Sequence, residues 1–553
     1  MDRCITTHRL RKTCEPSPVW TLTTPDRGGL PAPAQVLVPS TVESHPALKC
    51  YRGRAIYEKT LTCGGTLRFV FGAVSFRAKV FLDGTLLAEH YGGYTAFDCL
   101  AVDVPFGEHV LRVEADNRFG EDSALHVPND YYAYGGITRP VTVEQLGSAY
   151  ITRLHVTPSR HGRMWRAEVE VTLRSLSEGD QTVDVDVKAG PASISWKHRT
   201  LPAGGELTLT ASLAAPGVQP WSPEHPRLYA AEAVLWLEGE PADDLCDRFG
   251  FRELRCEGGR LLLNGEPIFI RGVNRHEDYA DFGCAVPVEA MMRDVQLIRD
   301  LGCNLVRTSH YPNDPRFLDL CDQCGLMVWE EGHARGLSLA QMQHPQFMSQ
   351  ALSCLEEMVA QHHNHPCIVL WGCLNECDDA SDEGAACFRR CFRTLRELDA
   401  SRPVTAAILD REGGQIYADE DVVSVNAYPG WYHDAPAAPH LEAICSRACE
   451  NGGGGKPLLI SEIGAGGIPG FHDPLGQAKW SEERQAGILR EQLSAALACP
   501  GLSGVIVWQF ADIRVDESWF FSRPRSMNNK GLVDEYRRPK LAYAAVRGLF
   551  TRS

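Results

Sequence analysis

Apolar and polar side chains alternate through residues 67–71, 78–84 and 110–116, with Gly and Asp at the breaks. Period-two alternation marks half-buried strands. Over residues 1–145 this pattern predicts a β-sandwich or jelly roll. Short alternating runs recur at 165–173, 182–187, 206–213 and 228–237. They predict a small Ig-like β-sandwich over 146–252, with no disulfide pin. From 253 to 553 the rhythm changes to strand, then helix. Strand candidates lie at 267–274, 303–309, 326–331, 368–376, 404–409, 422–428, 458–464 and 503–512. Helical patterns lie between them; in the clearest, Val288, Met291, Met292, Val295, Ile298 and Leu301 share one face. Eight such units fill a (β/α)8 barrel.

A chain of 553 residues is too long for one core. The net charge of −16 argues against wrapping nucleic acid or an anionic membrane, which calls for a basic face. A few local cations still suffice for a small anionic substrate. The 20 cysteines are scattered, residues 1–9 hold no apolar leader core, and no long apolar run exists. Cytoplasmic residence with reduced thiols is expected. Cys321-x-x-Cys324 sits in a helical pattern and reads as packing. His362-His-Asn-His365 ends a helical pattern and reads as structure, so no metal is expected. Asn451-Gly-Gly-Gly-Gly455 lacks the Lys-Ser/Thr of a phosphate loop.

Two glutamates carry the chemistry. Glu376 ends the run Ile368-Val-Leu-Trp-Gly-Cys-Leu-Asn-Glu376, and Glu462 ends Leu458-Leu-Ile-Ser-Glu462 before Ile-Gly-Ala-Gly-Gly. These are the ends of the fourth and seventh strands, and in a barrel that is the mouth where catalytic groups gather. Two carboxylates facing one cavity are what acetal cleavage needs. No cofactor is required.

The chain resembles glycoside hydrolase family 2, and within it the β-glucuronidases. The resemblance spans nearly the whole length and rests on Ala115-Asp-Asn-Arg118, Trp221-Ser-Pro-Glu-His-Pro-Arg-Leu-Tyr229, Gly272-Val-Asn-Arg-His-Glu-Asp278, Arg307-Thr-Ser-His-Tyr-Pro312, Asn375-Glu376, Ser461-Glu462 and Trp508-Gln-Phe-Ala-Asp512. It implies retention of configuration, with Glu376 as acid/base, Glu462 as nucleophile and Tyr428 beside the nucleophile. It also implies that Asp130, His310 and Asn375 meet sugar hydroxyls, that Tyr432 and Trp508 surround the ring, and that the protein is a homo-oligomer. His276 and Glu277 read equally as site or scaffold.

Asn528-Asn-Lys530 resembles the Asn-x-Lys motif with which β-glucuronidases grip the sugar's C6 carboxylate. Residues two apart on an extended segment project to one side. A charge-assisted bond of this kind contributes about 1.5–3 kcal/mol. The family's arginine lies four residues before the asparagine; here Arg525 lies three before and Arg523 five before, and Arg525 is preferred. After the third strand, Glu330-Glu-Gly-His-Ala-Arg-Gly-Leu337 offers Arg335 where β-glucuronidases carry small or apolar residues. An arginine there can donate to an axial C4 hydroxyl. The expectation is a retaining exo-β-hexuronidase with C4 left open, acting on conjugates or oligosaccharides. The alternative is a β-galactosidase or another neutral-sugar enzyme of the same family. The short stretch from 336 to 347 suggests an open leaving-group side.

Overall fold

The computed structural model describes residues 7–551. Its N-terminal unit is a curled, eight-stranded antiparallel sheet, in the order 12–14, 141–146, 54–71, 97–116, 77–82, 85–91, with two further strands at 19–23 and 34–37. Alternate residues of the long strands point inward. Tyr57, Phe69, Phe71, Leu111 and Val113 are buried around Trp20 and Ile137. This is the expected jelly-roll type of sandwich. The middle unit packs three strands (149–161, 164–175, 206–215) on four (192–201, 181–189, 229–237, 240–249). Val169, Val171, Val185, Leu235 and Phe249 fill the space between the two sheets.

The C-terminal unit closes into an eight-stranded parallel barrel. Its strands are β1 (Ile270–Arg275), β2 (Leu305–Thr308), β3 (Met327–Glu331), β4 (Ile368–Asn375), β5 (Val404–Leu409), β6 (Val423–Asn426), β7 (Leu458–Ile463) and β8 (Gly504–Val507). Around them lie helices α1 (Val288–Asp300), α2 (Pro315–Cys324), α3 (Phe347–His362), α4 (Asp382–Leu398), α5 (Ala437–Ala448), α6 (Glu482–Ala498) and α7 (Leu541–Phe550). All eight residues of β4 are buried, as both faces of a barrel strand must be. Two details differ from the expectation. No helix joins β5 to β6; turns and loop fill that link. Met292 is 46% exposed, so the buried stripe of α1 is Met291, Val295 and Ile298.

The jelly roll leans on the barrel mouth. Arg139 donates to Glu277 at 2.8 Å and to the Pro312 carbonyl at 3.0 Å. Tyr134 donates to Asp278 at 3.1 Å, and Arg52 reaches Asp516 at 2.9 Å. Glu277 therefore belongs to this seam, accepting from Arg139 and from the Asp314 N–H, whereas His276 contacts the Tyr311 hydroxyl and packs edge-on against His310 and Trp508. The His362–His365 run fixes the middle unit to the barrel. His362 bonds Glu330 at 3.0 Å, His363 meets Thr157 at 2.8 Å and His365 meets Asp322 at 2.6 Å. Asp322, His365 and Cys367 bring their ligand atoms within 4.8 Å of one another. The Asp322 carboxylate is taken up there by His365 and by the Cys367 N–H.

Candidate active site

Glu376 follows the last residue of β4 and takes a left-handed φ of 51°. A non-glycine residue there costs about 1 kcal/mol or more. The turn is pinned by the Glu376 N–H, which donates to the Ala407 carbonyl at 2.8 Å. Asn426, at the end of β6, donates to Glu376 Oε1 at 3.0 Å and to Asn375 Oδ1 at 3.1 Å. Ser461 holds Asn426 in turn, through a 2.7 Å bond to its Oδ1. On the other side, Arg335 Nη2 lies 3.0 Å from Glu376 Oε2.

Glu462 is buried at the end of β7. Tyr428 Oη donates to its Oε2 at 2.5 Å, and Arg307 Nη1 donates to its Oε1 at 3.0 Å. Burial first, and then the nearby Glu376 charge, push the Glu462 carboxyl up to about 7. Arg307 and Tyr428 pull the other way. Burial holds the Tyr428 hydroxyl well above its usual range, so it stays a donor.

Arg307 is the hub of the floor. Its guanidinium also bonds Glu331, Asn274 and Asn375, and it lies over the Trp329 ring at 4.6 Å. Glu331 in turn takes His310 Nδ1 at 2.9 Å. Burial, reinforced by Arg307, keeps that imidazole neutral well below its usual range. The His310 ring stacks on Trp508 at 5.0 Å. Asn375 uses its carbonyl on Arg307 and Asn426, while its buried Nδ2 has no protein partner.

A second cluster adjoins the first. Lys530 Nζ donates to Tyr432 Oη at 2.7 Å and stands 5.5 Å from the centre of the Tyr428 ring. Asn528 Nδ2 donates to Asp130 Oδ2 at 3.1 Å. The intervening Asn529 turns back to the Pro524 and Met527 carbonyls. Arg523 chelates Asp130 and lies over the Trp519 ring. Arg525 does not join the cluster. It pairs with Glu535 and reaches Asn529 at 3.3 Å. Arg523 is thus the arginine that shares Asp130 with Asn528, while left-handed φ values at Arg525 and Ser526 turn the Arg525 side chain toward Glu535. Arg335 Nη1 donates to Asn129 Oδ1 at 2.8 Å, and Asn129 Nδ2 donates back to the Arg335 carbonyl at 3.1 Å.

Glu376, Glu462, Tyr428, His310, Asn375, Arg335, Trp508, Asp130, Asn528, Lys530 and Tyr432 thus lie in two touching clusters at the barrel mouth. Sequence reasoning gave no role to Arg307, Glu331, Asn426 or Asn129, and named Arg523 only as the less favoured of two arginines. The first lay in plain sight in Arg307-Thr-Ser-His; the others act only through contacts across strands and units.

A barrel with paired carboxylates on β4 and β7, closed by a jelly-roll loop, defines a glycoside hydrolase. Residues 254–552 match the TIM-barrel model of glycosyl hydrolases family 2, and 149–252 match a second model of that family. The chain belongs to glycosyl hydrolases family 2. It is similar to a GH2 β-galacturonidase from Eisenbergiella tayi, solved bound to galacturonate, with 45% identity, a TM-score of 0.97, and 100% of this chain and 99% of that one covered. It is 28% identical to a β-glucuronidase of Streptococcus agalactiae over 517 residues, covering 85% of this chain and 83% of that protein. A Paenibacillus borealis β-glucuronidase is 27% identical, over 94% and 90% of the two chains.

Proposed function

We propose that this chain is a retaining exo-β-hexuronidase that prefers a terminal β-linked galacturonic acid. One observation carries the uronide reading. A buried ammonium, Lys530, rests against Tyr432 and Tyr428, and Tyr428 itself touches the Glu462 carboxylate. A fixed positive charge thus stands one tyrosine away from the attacking group. The β-galacturonidase and β-glucuronidase relatives support the same class.

Glu376 protonates the glycosidic oxygen as the bond breaks, while Glu462 attacks the anomeric carbon from the opposite face. Glu376 then deprotonates the water that releases the sugar, so configuration is retained. Arg307 and Tyr428 stabilise the Glu462 anion before attack. Asn375 Nδ2 offers its unused donor to a ring hydroxyl. Asn528 and Lys530 bracket the C6 carboxylate, with Arg523 adding charge and Asp130 accepting from hydroxyls.

Galacturonide is favoured over glucuronide because Arg335, braced by Asn129, projects between the jelly roll and Glu376. Its remaining N–H groups suit an axial C4 oxygen. Past Arg335, residues 336–347 form only a one-turn helix, Leu339–Met342, capped by Ser338. That short cover suits bulky or oligosaccharide leaving groups. The described cysteines are all unpaired, which supports a reducing, cytoplasmic setting. Light scattering on the purified chain reads out the homo-oligomer that the family resemblance implies.

The test is a panel of aryl β-glycosides assayed side by side: galacturonide, glucuronide, galactoside and glucoside. The galacturonide should lead, the glucuronide follow, and both neutral sugars trail far behind. Equal turnover of the galactoside would sink the uronide reading. A faster glucuronide would sink only the C4 preference.

A further inference from the structure

Among the described residues, two thiols touch on the outer layer of the barrel while keeping access to solvent. Cys445 lies in the last turn of α5, and Cys499 caps the end of α6. Their sulfurs are 3.8 Å apart and both side chains are half-buried. Another close pair, Cys373 and Cys391, is sealed in the core. Gly501 keeps the approach open, since a Cβ there would stand 2.9 Å from the Cys445 sulfur. A disulfide needs the sulfurs at about 2.05 Å. The remaining gap is short enough for side-chain torsion to close.

We propose that Cys445 and Cys499 form a redox-modification site, closing to a disulfide when the protein meets a small-molecule disulfide of the glutathione type. The Cys499 thiolate attacks one sulfur of that molecule, forming a mixed disulfide and releasing one small thiol. Cys445 then loses its proton to solvent and displaces the second small thiol from Cys499. One S–S bond breaks and one forms; the protein loses two hydrogens, and the small disulfide is reduced to two thiols. Burial, together with Cys499, pushes the Cys445 thiol up to about 12, so Cys445 is the poorer first nucleophile and enters only in the second step, where the attack is intramolecular. In reducing surroundings the pair stays open.

The bond would tie α5 to α6 across 54 residues of chain. Loops of that length gain markedly in stability when closed. The link sits at the C-terminal ends of both helices, on the side of the barrel away from Glu462 and Tyr432. Stability should therefore rise without a change in turnover.

The reduced, folded chain is incubated with oxidised glutathione, the remaining thiols are alkylated, and the digest is read by mass. Expected is one cross-linked peptide pair joining Cys445 to Cys499, lighter by two hydrogens and lost on reduction. The oxidised protein should also melt several degrees higher. Cys499→Ser should abolish the link and the rise in Tm. Persistent glutathione adducts on either cysteine, full alkylation of both, or a bond running to the exposed Cys449 would each overturn the proposal. So would a link that leaves Tm unmoved. The mass readout does not depend on which sugar the enzyme cleaves.

Discussion

Glu462 is held in a place that disfavours its own charge. Folding raises its pKa from 4.5 to about 7. Between those values the folded state binds more protons than the unfolded chain, so this group's contribution to stability falls as pH rises through that window. Glu462→Gln removes the effect. The variant should be more stable than the parent by up to about 3 kcal/mol at about pH 8, and nearly equal at about pH 4. Melting curves at both values check it, and a difference independent of pH would count against it. The same variant should lose nearly all turnover. Lys530→Ala should lower kcat/KM on a uronide about ten- to a hundredfold while sparing neutral glycosides. At this scale the two glutamates were legible because short, specific words surround them. Arg523 was passed over for Arg525 because sequence spacing carries no sign of the left-handed turn at 525 and 526. Arg307 was quoted without a role because its five partners come from separate strands and loops.

The barrel strands were readable as elements because both faces are buried, which leaves uninterrupted apolar runs between turn residues. Helix α1 showed its stripe for the opposite reason, having one wet face. Met292 sat at the edge of that stripe, where spacing alone does not separate core from solvent. The missing helix between β5 and β6 was masked by the regular rhythm on either side. Closure of the barrel rests on a glycine: a Cβ at Gly504 in β8 would lie 2.3 Å from the Ile270 Cβ in β1. Gly504→Ala should therefore force the first and last strands apart and cost about 1–3 kcal/mol. Chemical denaturation would show it, and an unchanged midpoint would mean the strands can slide to accept the methyl.

As a whole, the molecule works by leaning one unit on another. The jelly roll supplies Asp130 to the cluster around Asn528 and Lys530, and Asn129 to the Arg335 brace. Arg139 anchors that contact, with its side chain 5% exposed against Glu277 at 2%. Arg139→Ala strands a buried carboxylate and should cost about 3–5 kcal/mol. Activity should fall with it, because the 129–134 loop loses its footing. A normal Tm with normal kcat/KM would show that the units dock without this pair. The chain alone determined the strands, the order of its three units, the two catalytic candidates and the taste for a uronic acid, because each is written in local periodicity or in a run of neighbouring residues. Only the tertiary structure decided which arginine reaches Asp130, what braces Arg335 and which groups surround Glu462. Those depend on burial and on contacts between residues hundreds of positions apart, and no local pattern encodes them.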